Sequence, residues 1–208
     1  MKNIALLLLV TVLLSCQNNE TPAPTAIQPP AIKDTNLVKR KTANPYVAVD
    51  LSPMDISYLP SDFPIKKMNG EQSSQPVARL LYSRPQRQGR QIFGNIVKWG
   101  EPWRLGANEA TEIRFFQPVT IQGKQILPGQ YTLYAIPYED HWTIVFNAEL
   151  YTWGLRFNTA RDVARFDVPV TTKAQMVEYF SMVFETTGKG ADLVMAWESK
   201  EARLPIQF

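Results

Sequence analysis

The stretch Pro128-Gly129-Gln130-Tyr131-Thr132-Leu133-Tyr134-Ala135-Ile136-Pro137-Tyr138-Glu139-Asp140-His141-Trp142-Thr143-Ile144-Val145-Phe146-Asn147 decides the fold class. Gln130 to Ile136 alternates with period two. At Asp140-His141 a turn enters a second alternating segment, in which Trp142, Ile144 and Phe146 share one face. A period of two sends successive side chains to opposite sides of the backbone, the mark of a half-buried antiparallel strand. Leu193, Met195 and Trp197 repeat the pattern further on. Turn residues separate such runs at short intervals. Gln122-Gly123 divides Val119-Thr120-Ile121 from Gln125-Ile126-Leu127, Pro128-Gly129 precedes the next run, and Thr187-Gly188-Lys189-Gly190 joins Gln175 to Thr186 with Ala191 to Glu198. Further strands are expected at Val77 to Ser83, Thr111 to Gln117, Asp162 to Val168 and Leu204 to Phe208. No helix-length amphipathic stretch stands out beyond a turn or two around Asn158 to Val163, and no internal repeat is visible. The expectation is an all-β chain, an antiparallel β-sandwich or flattened barrel in one domain over residues 47–208. A domain of that size buries about 70% of its unfolded surface.

Upstream the composition changes twice. Lys2 supplies a positive start, Ile4 to Val12 an apolar run, and Leu13-Leu14-Ser15-Cys16 a small-residue box ending in cysteine. The run is shorter than the roughly 20 residues a membrane-spanning helix needs. Residues 1–15 therefore read as a bacterial lipoprotein signal peptide, with Cys16 the acylated first residue of the mature chain. By resemblance to other lipoproteins, Gln17 after the cysteine in place of an acidic residue favours the outer membrane. Residues 16–46 follow as a tether holding Pro22, Pro24, Pro29, Pro30 and Pro45 among small polar residues, too few apolar groups to order themselves. Such a chain averages roughly 30 Å end to end as a coil and reaches about 90 Å in polyproline form. Lys39-Arg40-Lys41 is either a contact for anionic lipid or a solvated charge run.

Counting residues excludes several chemistries. The formal charge of the whole chain is +3, but the excess lies in the signal and tether, so the domain is close to neutral. It lacks the footprint of a nucleic-acid binder. Cys16 is the only cysteine, so with lipid on it the domain has no disulfide, thiolate metal site or cysteine nucleophile. His141 is the only histidine and no Gly-x-Ser-x-Gly elbow is present, which argues against a multi-histidine zinc site and a serine triad. No Asp-x-Asp-x-Asp-Gly run suggests calcium, and no metal or cofactor is expected.

Several words of the chain resemble one family. Tyr82-Ser83-Arg84-Pro85, Gly89-Arg90-Gln91-Ile92-Phe93-Gly94, Trp103-Arg104-Leu105-Gly106-Ala107-Asn108-Glu109-Ala110-Thr111, Pro128 to Tyr134, Trp142 to Asn147 and Thr152-Trp153-Gly154 look like domain-of-unknown-function family 2911. The resemblance implies a β-rich domain outside the cytoplasm, often carried on a lipoprotein, with no established activity.

The residues that bear chemistry lie between the strands. Arg84, Arg87 and Arg90 fall in one connection, Glu101, Trp103, Arg104, Asn108 and Glu109 in another, Glu149 and Trp153 in a third. If these meet at one end of the fold, Arg84, Arg90, Trp103, Arg104, Asn108, Glu109 and Trp153 form a binding site. Guanidinium forks recognise carboxylate or phosphate, and tryptophan offers an apolar face to a sugar ring. The expected ligand is a glycan, a cell-wall fragment or an envelope partner protein. Two other readings stay open: a polysaccharide hydrolase with Glu101 and Glu109 as its acid and base, or a structural envelope protein in which these residues pair among themselves and Trp103 plugs the sheet end.

Overall fold

The protein is described by a computed structural model covering residues 50–71 and 75–208. The signal peptide, Cys16 and the tether expected over 16–46 lie outside these residues. The elements in chain order are β1 (Met54–Leu59), α1 (Phe63–Met68), β2 (Ala78–Ser83), β3 (Thr111–Phe115), β4 (Val119–Ile121), β5 (Lys124–Ile126), β6 (Gly129–Pro137), β7 (His141–Asn147), a single 3-10 turn (Thr159–Arg161), β8 (Asp162–Thr187) and β9 (Gly190–Ile206). Seven strands pair antiparallel in the order β1-β2-β3-β6-β7-β8-β9, and β4 and β5 form a second small sheet. The all-β antiparallel class is realised as one large sheet curled into a half-barrel. Lone bridges join its far parts: Gln86, just after β2, pairs with Tyr179 of β8, and Thr120 of β4 with Gln207 beyond β9.

The stretch from Pro128 to Asn147 occupies the centre of the sheet. From Tyr131 to Ala135 every residue of β6 is buried, on both faces. Tyr131, Leu133 and Ala135 join the core with Trp142, Ile144 and Phe146 of β7. The other face is covered by the connection from β7 to β8. Thr132 donates its hydroxyl to the carbonyl of Glu149, and Phe157 stacks on Tyr134 at 4.2 Å.

Four expected strands are in fact two long ones. In β8, Ala164, Phe166 and Val168 and then Phe180, Met182 and Phe184 are buried, while most of Thr171–Tyr179 is exposed. The apolar pattern lapses there, but the chain stays extended. In β9 the buried face changes from Leu193, Met195 and Trp197 to Ala202, Leu204 and Ile206, from odd to even positions. The slip is absorbed at Glu198, whose φ is 55°, opposite register shifts in β8 on both sides of Val177. One extra residue in a ladder turns every later side chain to the other face, so a broken period need not mean a broken strand.

β1 and α1 were not expected from the sequence. β1 is an edge strand with Met54 and Ile56 exposed, which leaves little alternation to read. α1 has six residues; Pro64 suits its first turn, and Phe63 buries against Tyr58 at 5.9 Å between ring centroids.

Candidate functional site

The connection between β2 and β3 passes over one mouth of the half-barrel, and Trp103 pins it there. Its backbone exchanges two hydrogen bonds with Ala135, at 2.7 and 2.8 Å, extending the ladder of β6 beyond the end of β3. Past it the chain is tied down by two buried hydroxyls. Ser83 Oγ donates to the carbonyl of Ala107 and accepts from its N–H at 2.6 Å, while Thr111 Oγ1 donates to Leu105 at 2.7 Å. Gly106 crosses Ser83 so closely that a Cβ there would lie 2.7 Å from Ser83 Oγ. This joint holds Tyr82-Ser83 and Leu105-Gly106-Ala107 against each other in the fold.

The Trp103 side chain is 9% exposed and sits among aromatic rings: Phe180 at 5.0 Å, Trp142 at 5.7 Å and Phe93 at 5.9 Å, with Trp197 stacked at 6.0 Å. Its indole N–H donates to the carbonyl of Gly106 at 3.2 Å. Trp103 is thus both core and the floor of a cleft of about 330 Å³. Trp197 shares the floor, Ile96, Val97 and Leu155 give apolar walls, and Arg90 and Arg104 stand at the rim. With so little of its surface open, Trp103 offers the cleft only a small part of its ring face.

Both guanidinium groups are held by carbonyls. Arg90 donates through Nε to Arg87 at 2.9 Å and through Nη2 to Gln86; Arg104 donates through Nη1 to Trp153 at 2.9 Å and lies over the Trp153 ring at 6.0 Å. Burial lowers the pKa of Arg104 from its usual value, against the charge of Glu109, which raises it.

The other expected site residues stand around this cleft. Arg84 turns to Asp55 at 3.1 Å, with Tyr179 beneath it at 5.9 Å. Asn108, with φ of 58°, donates to Asp50 at 2.7 Å and so ties its loop to the segment before β1. Trp153 is 53% exposed beside Gly154 and Leu155 of the cleft wall. Glu109 faces a second cavity, of about 360 Å³, with Glu112, Tyr151 and Met54. Glu101 is exposed and lines neither cavity, so the two carboxylates considered as an acid and base pair do not share one. Among the described residues no group of three or more His, Asp, Glu or Cys is placed to hold a metal ion.

Trp197, Ile96, Leu155 and Ser52 also line the cleft and were not singled out by sequence. Trp197 lies in an ordinary alternating strand, and nothing local distinguishes a strand tryptophan that meets a cleft from one that does not.

The wall carrying Trp153 to Leu155 belongs to the connection that a buried polar cluster anchors. The Tyr134 hydroxyl meets both carboxylate oxygens of Asp162, at 3.0 and 2.9 Å, and Asn147 Nδ2 and Arg165 Nη2 donate to the same carboxylate, each at 2.7 Å. Burial first, then the hydrogen bond and charge of Asp162, push the Tyr134 pKa from 10.0 to about 12. A phenol whose folded pKa is raised contributes stability that is complete below pH 10 and is lost as pH climbs through about 12. Denaturant titrations between those limits are expected to show this loss in the parent chain and a smaller one in Tyr134→Phe. Equal losses would mean Tyr134 ionises freely.

A family profile, that of a protein of unknown function (DUF2911), matches residues 64–206. The chain belongs to this family. No curated protein and no solved structure matches it. All the residues lining the cleft except Ser52 fall within the matched span of the DUF2911 domain.

Proposed function

We propose that this DUF2911 domain is the ligand-binding module of a lipid-anchored protein of the bacterial envelope, held through Cys16 at the outer membrane, and that the cleft over Trp103 and Trp197 receives a glycan or cell-wall fragment. The observation that carries the reading is the convergence of an apolar floor with two guanidinium groups fixed at its rim. A concave apolar site with a few placed polar groups is the usual form of a small-molecule site. The hydrogen-bonded loops preorganise it, so little ordering is needed on binding.

The test is the melting temperature of the full chain in detergent against neutral and acidic oligosaccharides and muropeptides. A ligand present at 100 times its Kd adds about 2.7 kcal/mol. For a domain of this size the midpoint then rises by roughly 5 to 10 °C. The rise is expected to vanish in Ile96→Trp and Leu155→Trp, whose bulk fills the mouth from side chains 46% and 72% exposed without adding charge. No rise with any compound, or one that survives both substitutions, overturns the reading and leaves an envelope partner protein or a structural role.

A further inference from the structure

We infer that the ligand of this cleft is an acidic sugar, its ring against the apolar floor and its carboxylate or phosphate between Arg90 and Arg104; the inference rests on the binding-module reading and narrows it. The lining contains these two cations and no carboxylate. Among the described residues neither guanidinium enters an ion pair, although Arg84, Arg165 and Arg203 all do. Arg90 and Arg104 are held instead by neutral carbonyls, which fix their positions; no carboxylate bonds to either, although the charge of Glu109 acts on Arg104 from nearby.

An arginine carries five N–H donors, so each fork retains donors for an anion after these contacts. Arg104 is half-buried, and its attraction for an anion is strengthened where water is partly excluded. The opposite charge lies elsewhere: Glu109 and Glu112 line the second cavity, which contains no cation, so the two depressions are sorted by sign. The cleft, at about 330 Å³, is at the small end of ligand sites and suits one or two rings, not a long chain.

The experiment measures binding of D-glucuronate, D-glucose 6-phosphate, D-glucose and inorganic phosphate to the full chain in detergent by calorimetry, alongside the neutral oligosaccharides. At least one acidic sugar is expected to bind roughly tenfold or more tighter than glucose, as charge-assisted hydrogen bonds require. Which of the two is tighter distinguishes carboxylate from phosphate. Arg104→Gln, and independently Leu155→Glu at the exposed mouth, are expected to reduce the acidic sugar to the level of glucose. Arg104→Lys is expected to restore part of the preference, and added salt to weaken it in the parent chain. Glucose binding as tightly as the acidic sugars, or a preference unchanged in both Arg104→Gln and Leu155→Glu, overturns the inference. So does inorganic phosphate binding as tightly as the tighter of the two acidic sugars, because the ring then contributes nothing. Binding of neutral oligosaccharides alone refutes the acidic ligand and keeps the binding module, whereas binding of none refutes both.

Discussion

Replacing Gly190 by alanine is expected to cost at least about 3 kcal/mol, while the same change two residues earlier, Gly188→Ala, is expected to be neutral or slightly stabilising. Both glycines lie in the Thr187-Gly188-Lys189-Gly190 turn between the two long strands. Gly190 has φ of 146°, and a Cβ built there would run into the carbonyl oxygen of Ile206 and lie 3.0 Å from Cα of Gln207. Those are backbone atoms that no rotamer change can move. Gln207 is in turn paired with Thr120 by two hydrogen bonds of 2.8 and 2.9 Å, so the intruding methyl disturbs the seam between β9 and the small sheet. Gly188 has nothing within 4 Å of its added Cβ. Urea denaturation of the two variants beside the parent measures the contrast, and similar midpoints for both would show that the close approach at Ile206 relaxes without cost.

Trp103→Ala is expected to destabilise by about 3 to 5 kcal/mol, the range for removing a buried aromatic side chain. Aromatic pairs contribute about 0.5 to 1.5 kcal/mol beyond burial alone, and Trp103 is in ring contact with Phe93, Trp142, Phe180 and Trp197. The midpoint should fall by roughly 6 to 20 °C. Trp153→Ala, at a residue 53% exposed, is expected to lose less than about 1 kcal/mol. Thermal unfolding of the pair decides the matter. Equal losses would mean that Trp103 does not carry the mouth of the barrel, and that the cleft above it lacks the rigid floor on which its use as a site depends.

Period-two alternation at Gln130 to Ile136 and Trp142 to Phe146 identified the central strands, because a strand with a core on one side must alternate. The same logic failed at Glu198, where a residue of positive φ reverses the buried face within one continuous strand. It failed also at β1, an edge strand whose solvent side is partly apolar. Of the expected site residues, Arg90, Trp103 and Arg104 line one cleft; Arg84, Asn108 and Trp153 stand beside it; and Glu109 faces the other cavity. The loops could be recognised as rich in binding chemistry, but not which way each side chain turns. Arg84 and Arg90 look alike in sequence, yet one is paired with Asp55 and the other with the carbonyls of its own turn.

By itself the sequence determined an all-β class, a family resemblance that the matched profile bears out, and the residue types available for recognition, since these depend on local periodicity and on words of adjacent residues. Only the tertiary structure decided that Trp103 and Trp197, 94 positions apart in the numbering, stack to floor one cleft, and that positive and negative groups from one loop are sorted into two cavities. The reason is the curling of the sheet. Contacts between β9, the Trp103 segment and the loop after β7 are set by strand order and twist across the whole domain, quantities no stretch of neighbouring residues encodes.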